Sequence, residues 1–354
     1  MMSEPVTTAH QGSLRRRSRG RRILVLLAAV VVVAGLAWAS VIGYIASTTL
    51  MYGDEAKHGC PTPAELGWAY EAVNYDIALD QRLPTDNPDW LKDCPNHGAG
   101  TAGTDVISSD GVRLAGWYIP SGDGDAASAP TVVIVHGWGV SKSDALRYAV
   151  PLHDKWNLLL IDTRSQGRSG GDWMSFGVRE VEDVRAMLDW LERTKHPSKI
   201  AIVGDSGGAA ASAKLARTDP RIAGLVLESS HSRLRNALDQ KFGGNPLGQP
   251  VALTVPIGMA AFWARTGVWL GDADPLDAIA DLGNRPLAIS YGSQDATDIP
   301  ALNAQVLYDA ALAAGVPAEM HPCEGATHGK VIDTCPDTYR GWVNAFMERV
   351  LAEG

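Results

Sequence analysis

Short apolar runs recur along the chain from about residue 105 onward, and longer amphipathic or alanine-rich stretches separate them. The runs are rich in Val, Ile and Leu, which is typical of strands that a parallel sheet buries on both faces. The clearest of them are 131–135, 158–162, 200–203, 222–227 and 286–291. The stretch 178–195 places its apolar residues on one helix face. Alternating strands and helices predict an α/β fold with a mostly parallel sheet flanked by helices.

Residues 231–285 interrupt this alternation and are too long for a plain connection between two elements. Their second half, 251–270, is rich in apolar and aromatic residues and could be read as a membrane span. A small helical cap over an active site is favoured instead by Pro256, Arg265 and two tryptophans in this stretch. The wall of such a cap would bind an apolar substrate. A surface helix followed by a long loop is the alternative.

The N-terminal segment has a different pattern. Six arginines lie between residues 15 and 22, and no charged residue occurs from Ile23 to Gly53. Residues 23–46 are long and apolar enough to span a bilayer, and the basic cluster should remain cytoplasmic. We therefore predict a single-pass anchor that leaves the rest of the chain outside the cytoplasm. The alternative is a signal peptide cleaved at Ala37-Trp38-Ala39, which would release a secreted protein.

Four cysteines follow the apolar segment, namely Cys60, Cys94, Cys323 and Cys335. An even number in an exported chain predicts disulfides. Local pairing, Cys60 with Cys94 and Cys323 with Cys335, closes two short loops without a long-range approach. The other pairings, and four buried thiols, remain alternatives. The cysteine and histidine spacings do not match a zinc site, so we predict no structural metal.

The most informative stretch is Gly204-Asp205-Ser206-Gly207-Gly208, which lies between an apolar run and an alanine-rich segment. A strand that turns sharply into a helix needs glycines around the turn and exposes the central serine hydroxyl above the helix N-terminus. This pattern predicts Ser206 as a nucleophile. Chymotrypsin-like proteases carry a similar string, but they are all-β and their catalytic order is His, Asp, Ser. Here a helix follows the serine and the best acid and base lie downstream.

A serine nucleophile needs a base, an acid that orients the base, and donors for the oxyanion. Among nine histidines, His328 is best placed, in a loop between the last strand and the final helix. Asp295 follows the strand 286–291 and is the preferred acid, with Asp298 and then Glu228 as alternatives. The backbone N–H groups of Trp138 and Gly207 are the predicted oxyanion donors. All of these groups follow parallel strands, where active sites of open α/β sheets lie.

Four motifs in this order resemble the α/β-hydrolase family. They are His136-Gly137-Trp138-Gly139, Asp162-x-Arg164-x-x-Gly167-x-Ser169, Gly204-Asp205-Ser206-Gly207-Gly208, and Gly292-x-x-Asp295 followed by His328-Gly329. The resemblance covers the chain from about residue 105 and implies a Ser206–His328–Asp295 triad, an acyl-enzyme, a short helical cap, and no metal or organic cofactor. Ser165 occupies a position where relatives often have Gly.

The predicted domains follow from these patterns. They are a basic cytoplasmic tail (1–22), a transmembrane helix or signal anchor (23–46), an extracytoplasmic extension (47–103), and an α/β-hydrolase domain (104–354) with a cap insertion at about 231–285. Within the extension, apolar spacing predicts a helix over 63–81.

The net charge of −9 argues against nucleic-acid binding. We predict a membrane-anchored serine hydrolase that cleaves the ester or thioester of a small-molecule or acyl substrate. A peptidase of the same fold and a non-catalytic envelope protein on a hydrolase scaffold are the competing hypotheses.

Overall fold

An eight-stranded sheet is the centre of the computed structural model, which describes residues 9–52, 61–80, 103–122, 129–243 and 251–352. The strand order is β1-β2-β4-β3-β5-β6-β7-β8. The first two strands pair antiparallel, β2 is antiparallel to β4, and the other pairs are parallel. The strands are β1 (Glu71–Val73), β2 (Ala115–Ile119), β3 (Thr131–Val135), β4 (Asn157–Asp162), β5 (Ile200–Asp205), β6 (Ile222–Glu228), β7 (Leu287–Gly292) and β8 (Ala318–Cys323). The predicted mostly parallel α/β sheet is confirmed.

Helices cover both faces of the sheet, as the apolar runs require. One buried cluster packs α3, α4 and α8 against one face, and a second packs α2 and α10 against the other. The helices are α1 (Ala9–Tyr52), α2 (Lys142–Ala149), α3 (Glu180–Lys195), α4 (Gly207–Ala216), α5 (Leu234–Gly243), α6 (Val251–Thr266), α7 (Leu276–Ile279), α8 (Ala304–Ala313), α9 (Val331–Thr334) and α10 (Pro336–Leu351). Short 3₁₀ turns occur at Pro63–Leu66, Ile77–Leu79, Leu270–Ala273, Ala280–Leu282 and Pro300–Leu302.

The helix predicted over residues 63–81 is wrong, because this segment forms two 3₁₀ turns around strand β1. Tertiary contacts override its helical spacing: β1 pairs antiparallel with β2, and Tyr75 and Asp80 accept hydrogen bonds from the indole nitrogen of Trp117. The indole nitrogen lies 2.6 Å from the Tyr75 hydroxyl and 2.9 Å from Asp80 Oδ2. The segment before residue 103 therefore contributes an edge strand to the same sheet.

Among the residues that the structure describes, one helix is long and apolar enough to cross a membrane, over Leu24–Met51 within α1. This agrees with the predicted N-terminal apolar span. Its apolar side chains are mostly exposed as far as Ile45, whereas Leu50 and Met51 are buried. The last turns of α1 pack against α6, so this helix contacts the segment between β6 and β7 that we predict to be a cap.

A disulfide joins Cys323, at the end of β8, to Cys335, at the start of α10. The two Cα atoms are 6.1 Å apart and twelve positions separate the residues. The bridge closes the loop that carries His328, as the local pairing predicted. Cys60 and Cys94, the other predicted pair, lie outside the described residues.

Candidate active site

The predicted strand, turn and helix are present around Ser206. Ser206 follows β5 with φ 49° and ψ −112°, which is strained for a residue with a side chain. The glycines permit this turn because the backbone packs tightly here. A Cβ on Gly208 would lie 2.4 Å from the carbonyl oxygen of Val135, and one on Gly204 would lie 2.7 Å from Ala209 Cα. The local sequence therefore forces the Ser206 hydroxyl out of the sheet.

His328 lies between Ser206 and Asp295. Its Nε2 is 3.1 Å from Ser206 Oγ, and its Nδ1 is 2.8 Å from Asp295 Oδ2. Asp295 is oriented by its own turn, since its other oxygen accepts the backbone N–H groups of Thr297 and Asp298. The structure thus brings the three predicted residues into one hydrogen-bonded chain. A neutral His328 in this arrangement carries its proton on Nδ1 and can accept one from the serine.

Two contacts restrain the loop that holds His328. The backbone N–H of Gly329 donates to Ser229 Oγ at 2.9 Å, and the Cys323–Cys335 bridge closes the loop. Ser229 was not among the predicted site residues. Its position directly after β6, at the same edge of the sheet as the other candidates, is the signal that could have identified it.

A second carboxylate approaches His328. Asp298 Oδ2 is 3.5 Å from His328 Nδ1, and among the described residues the buried Asp298 Oδ1 has no hydrogen-bond partner. Asp295 and Asp298 are alternative acids on sequence grounds, and the structure brings both to the imidazole, with Asp295 nearer. Glu228, the third candidate, is buried beside Asp205 at the ends of β5 and β6 and makes no hydrogen bond to His328.

These charges shift the proton affinities at the site. Burial lowers the pKa of His328, but the hydrogen bond that its Nδ1 donates to Asp295 and the charges of Asp298 and Asp205 outweigh it and raise that pKa to about 9. Burial raises the pKa of Asp298 to about 7, although the nearby His328 opposes this. The imidazolium is therefore strongly stabilised, which favours accepting a proton from Ser206.

Ligand atoms of Asp295, Asp298 and His328 lie within 4.8 Å of one another, close enough to hold a cation. A cation bound there would occupy the lone pair of His328 Nδ1, the atom that now faces Asp295. The hydrogen-bonded chain to Ser206 accounts for the orientation of His328 and Asp295 without one.

Trp138 and Gly207, the predicted oxyanion donors, lie close together at the start of α4. Trp138 N lies 3.8 Å from where a Cβ on Gly207 would be. The loop that carries Trp138 is held by the buried His136. The Nε2 of His136 accepts the backbone N–H of Thr163 at 3.1 Å, and its Nδ1 donates to the carbonyl of Gly137 at 2.8 Å. Burial lowers the pKa of His136, which is consistent with a neutral ring that organises this loop.

Two cavities formed by the described residues adjoin Ser206. One, of about 110 Å³, is bounded by α5 and has both apolar and charged side chains in its wall. It is lined by Trp138, Phe176, Ser206, Gly207, His231, Leu234, Ala237, Leu238, Lys241, Thr297, Asp298 and His328. The other, of about 170 Å³, contains charged side chains of both signs. It is lined by Gly137, Trp138, Val140, Asp144, Arg147, Asp205, Ser206, His328, Gly329 and Lys330.

A family model described as serine aminopeptidase, S33, matches residues 126–321, more than half of the chain. The chain belongs to this α/β-hydrolase family. The resemblance stated from the four motifs is therefore confirmed. In this α/β-hydrolase Ser165 has φ 61°, in the left-handed region. That conformation explains why Gly suits the position in relatives.

Solved α/β-hydrolases share the fold. The Pyrococcus furiosus esterase Pf2001 is 21% identical, with a TM-score of 0.60, and the match covers 83% of this chain and 98% of the esterase. The acylaminoacyl peptidase of Pyrococcus horikoshii is 16% identical, with a TM-score of 0.52, and the match covers 68% of this chain and 40% of the peptidase. The neighbours thus include both esterases and peptidases.

Two curated relatives are uncharacterised proteins. Rv2307c of Mycobacterium tuberculosis is 37% identical over 138 residues, which is 38% of this chain. The match spans about half of that relative's length, 47%. YqkD of Bacillus subtilis is 25% identical over 253 residues, covering 69% of this chain and 78% of YqkD.

Proposed function

We propose that this α/β-hydrolase is a membrane-anchored serine hydrolase that cleaves carboxylic esters or thioesters outside the cytoplasm. Ser206 attacks the acyl carbonyl, His328 takes its proton, and Asp295 orients the imidazole and stabilises its charge. The backbone N–H groups of Trp138 and Gly207 bind the oxyanion. His328 then protonates the leaving alcohol or thiol, and an activated water hydrolyses the acyl-enzyme.

The hydrogen-bonded chain from Ser206 Oγ through His328 to Asp295 Oδ2 carries this proposal, with distances of 3.1 and 2.8 Å. A serine on a strained turn, next to a base that is itself held by a carboxylate, is the arrangement that activates a hydroxyl. A non-catalytic scaffold has no need for all three groups in register.

The N-terminal helix supports an uncleaved anchor. The helix that contains the suggested cleavage site continues past it and packs against α6. A Cβ on Gly43 would lie 3.1 Å from Ala261 Cβ. Close helix packing therefore gives the small residue at position 43 a structural role that cleavage after Ala39 would leave without its preceding helix. With the arginine cluster inside, the catalytic domain lies outside.

Labelling with a fluorophosphonate probe tests the activity. We expect the wild type and Ser109→Ala, an exposed serine variant, to be labelled, and Ser206→Ala to remain folded but unlabelled. Ser206→Ala should also lose esterase turnover by several orders of magnitude. Near-native turnover in Ser206→Ala would contradict the assignment.

A carboxyl-terminal reporter tests the topology. A reporter that works only outside the cytoplasm should be active when fused after residue 352, because the arginine cluster keeps the N-terminus inside. Activity of a cytoplasm-specific reporter at that site would reverse the orientation.

An aminopeptidase is the second candidate. Besides the family model, the buried carboxylate of Asp298, which lines the 110 Å³ cavity, favours it, because it could accept a substrate's α-ammonium group. Turnover of aminoacyl-naphthylamides in preference to p-nitrophenyl esters, with a KM that rises sharply in Asp298→Asn, would support this candidate over the esterase.

A further inference from the structure

The last turns of α1 and the helix α6 form a tightly packed pair. Besides the approach of Gly43 to Ala261, a Cβ on Gly258 would lie 2.8 Å from Ala46 Cβ. Later residues of α1 therefore meet earlier residues of α6, so the two helices run antiparallel. Small residues at a membrane-helix interface allow this close approach of backbones. The segment between β6 and β7 is thus attached directly to the apolar N-terminal helix.

The length of the apolar helix places α6 relative to a membrane. About 20 helical residues cross the hydrocarbon core. The apolar stretch Leu24–Met51 has 28, so a core that begins near Leu24 ends near Gly43. Because α6 runs antiparallel, its residues beyond Ala261 lie at or below that outer boundary. The helix pair therefore positions the carboxyl end of α6 in the interfacial layer of the outer leaflet.

The side chains at the carboxyl end of α6 match that environment. Trp263 on α6 and Trp269, three residues after the helix ends, are 55% and 46% exposed, and tryptophan is enriched at membrane interfaces. Arg265 lies at the same end, but its guanidinium extends back to Ser47 Oγ at 2.7 Å and Thr48 Oγ1 at 2.9 Å. A cation at the edge of the hydrocarbon core turns its charge toward water in this way.

One apolar cluster connects this interface to the reaction centre. Leu50 and Met51 of α1 pack with Val255, Met259 and Phe262 of α6, and the same cluster includes Phe176, Leu234 and Leu238. The last three residues also line the 110 Å³ cavity beside Ser206. The cavity wall and the membrane-facing helix pair are therefore parts of the same packed unit.

We infer that the substrate is an acyl ester held in the outer leaflet, whose acyl chain reaches Ser206 from the α6 side through this cavity. The inference rests on the proposed function and names its substrate class. The cavity is smaller than the engineered 150 Å³ cavity that holds benzene. It accommodates only the carbons nearest the carbonyl, and the rest of the chain stays in contact with lipid. Ser206 Oγ forms the acyl bond, and the ester alcohol leaves with the proton from His328 Nε2.

Two esters with one leaving group test the inference. The full chain is reconstituted in vesicles of ether-linked phosphatidylcholine, which contain no acyl ester, and given 4-methylumbelliferyl palmitate or 4-methylumbelliferyl butyrate. The decisive variant is Gly43→Leu, which separates α1 from α6. Its matched control is Gly35→Leu, because a Cβ on Gly35 would meet nothing within 4 Å.

We expect Gly43→Leu to lower kcat/KM for the palmitate about tenfold or more, because small displacements of a site from its substrate are costly. The butyrate, which reaches the site through water, should be hydrolysed within about twofold of wild type by both variants. Equal losses on both esters, or no loss on palmitate, would overturn the inference. Wild-type protein that hydrolyses butyrate but not palmitate would overturn it and leave the proposed function standing.

Loss of fluorophosphonate labelling would show that the Gly43→Leu protein fails to fold. In that case a second pair of variants tests the inference. Trp263→Asp introduces a charge at the proposed interface, and Leu312→Asp introduces one at a similarly exposed position on α8. Only Trp263→Asp should reduce palmitate hydrolysis; equal effects of the two would refute the membrane-facing role. If wild-type protein neither reacts with the probe nor cleaves either ester, the proposed function itself fails.

Discussion

Replacing Asp298 by Asn should move the acid limb of the esterase pH profile to lower pH. Acylation needs a neutral His328, whose pKa is raised to about 9, partly by the charge of Asp298. The two side chains are 3.5 Å apart. Removing the negative charge destabilises the imidazolium, so the free base is present at lower pH. Asp298 has a pKa of about 7 and is therefore ionised across the range where His328 titrates.

The distance sets the magnitude. Two unit charges at 3.5 Å interact by about 1 kcal/mol in water and by about 5 kcal/mol at an effective dielectric constant of 20. Since 1.36 kcal/mol corresponds to one pH unit, the limb should move down by about 1 to 3.5 pH units. The side chain of His328 is 29% exposed, so solvent screening favours the lower part of this range.

The assay is kcat/KM for 4-methylumbelliferyl butyrate between pH 5 and pH 10. Asp309→Asn, an exposed carboxylate on α8, is the matched control and should leave the profile unchanged. Asp295→Asn should instead lower kcat across the whole range, because it removes the group that orients the imidazole. An acid limb that stays in place or moves upward in Asp298→Asn would refute the electrostatic reasoning.

Two further predictions concern stability. Replacing both Cys323 and Cys335 by Ala should lower the free energy of unfolding by about 3 kcal/mol by the loop-entropy estimate. The variant should also lose turnover before it unfolds. Denaturation under non-reducing conditions measures the stability change, and unchanged stability would contradict this prediction. Gly208→Ala should cost more than about 2 kcal/mol, because its Cβ would meet the Val135 carbonyl at 2.4 Å. Gly341→Ala, where a Cβ would meet nothing within 4 Å, should be neutral or stabilising, and equal losses in both variants would exclude the clash as the cause.

Much of the architecture could be predicted from the chain alone, because its determinants are local. Buried parallel strands require continuous apolar runs, and those at 131–135 and 200–203 became β3 and part of β5. The turn at Ser206 depends on glycines within two residues of it, so its strand-turn-helix conformation was predictable from five letters. The apolar helix was equally evident, since a bilayer span depends on length and composition.

Long-range packing decided the rest. The spacing in residues 63–81 suited a helix, but pairing with β2 converted part of it into β1, because the sheet edge offered backbone hydrogen bonds that a sequence pattern cannot reveal. Asp295 and Asp298 lie three positions apart in one turn, and only the folded loop brings both to His328 at different distances. The contact between α1 and α6 joins residues more than 200 positions apart. The sequence by itself determined that α1 and α6 are apolar. Only the tertiary structure made the two helices one unit, because the close fit of Gly43 and Gly258 against the opposite helix depends on three-dimensional register.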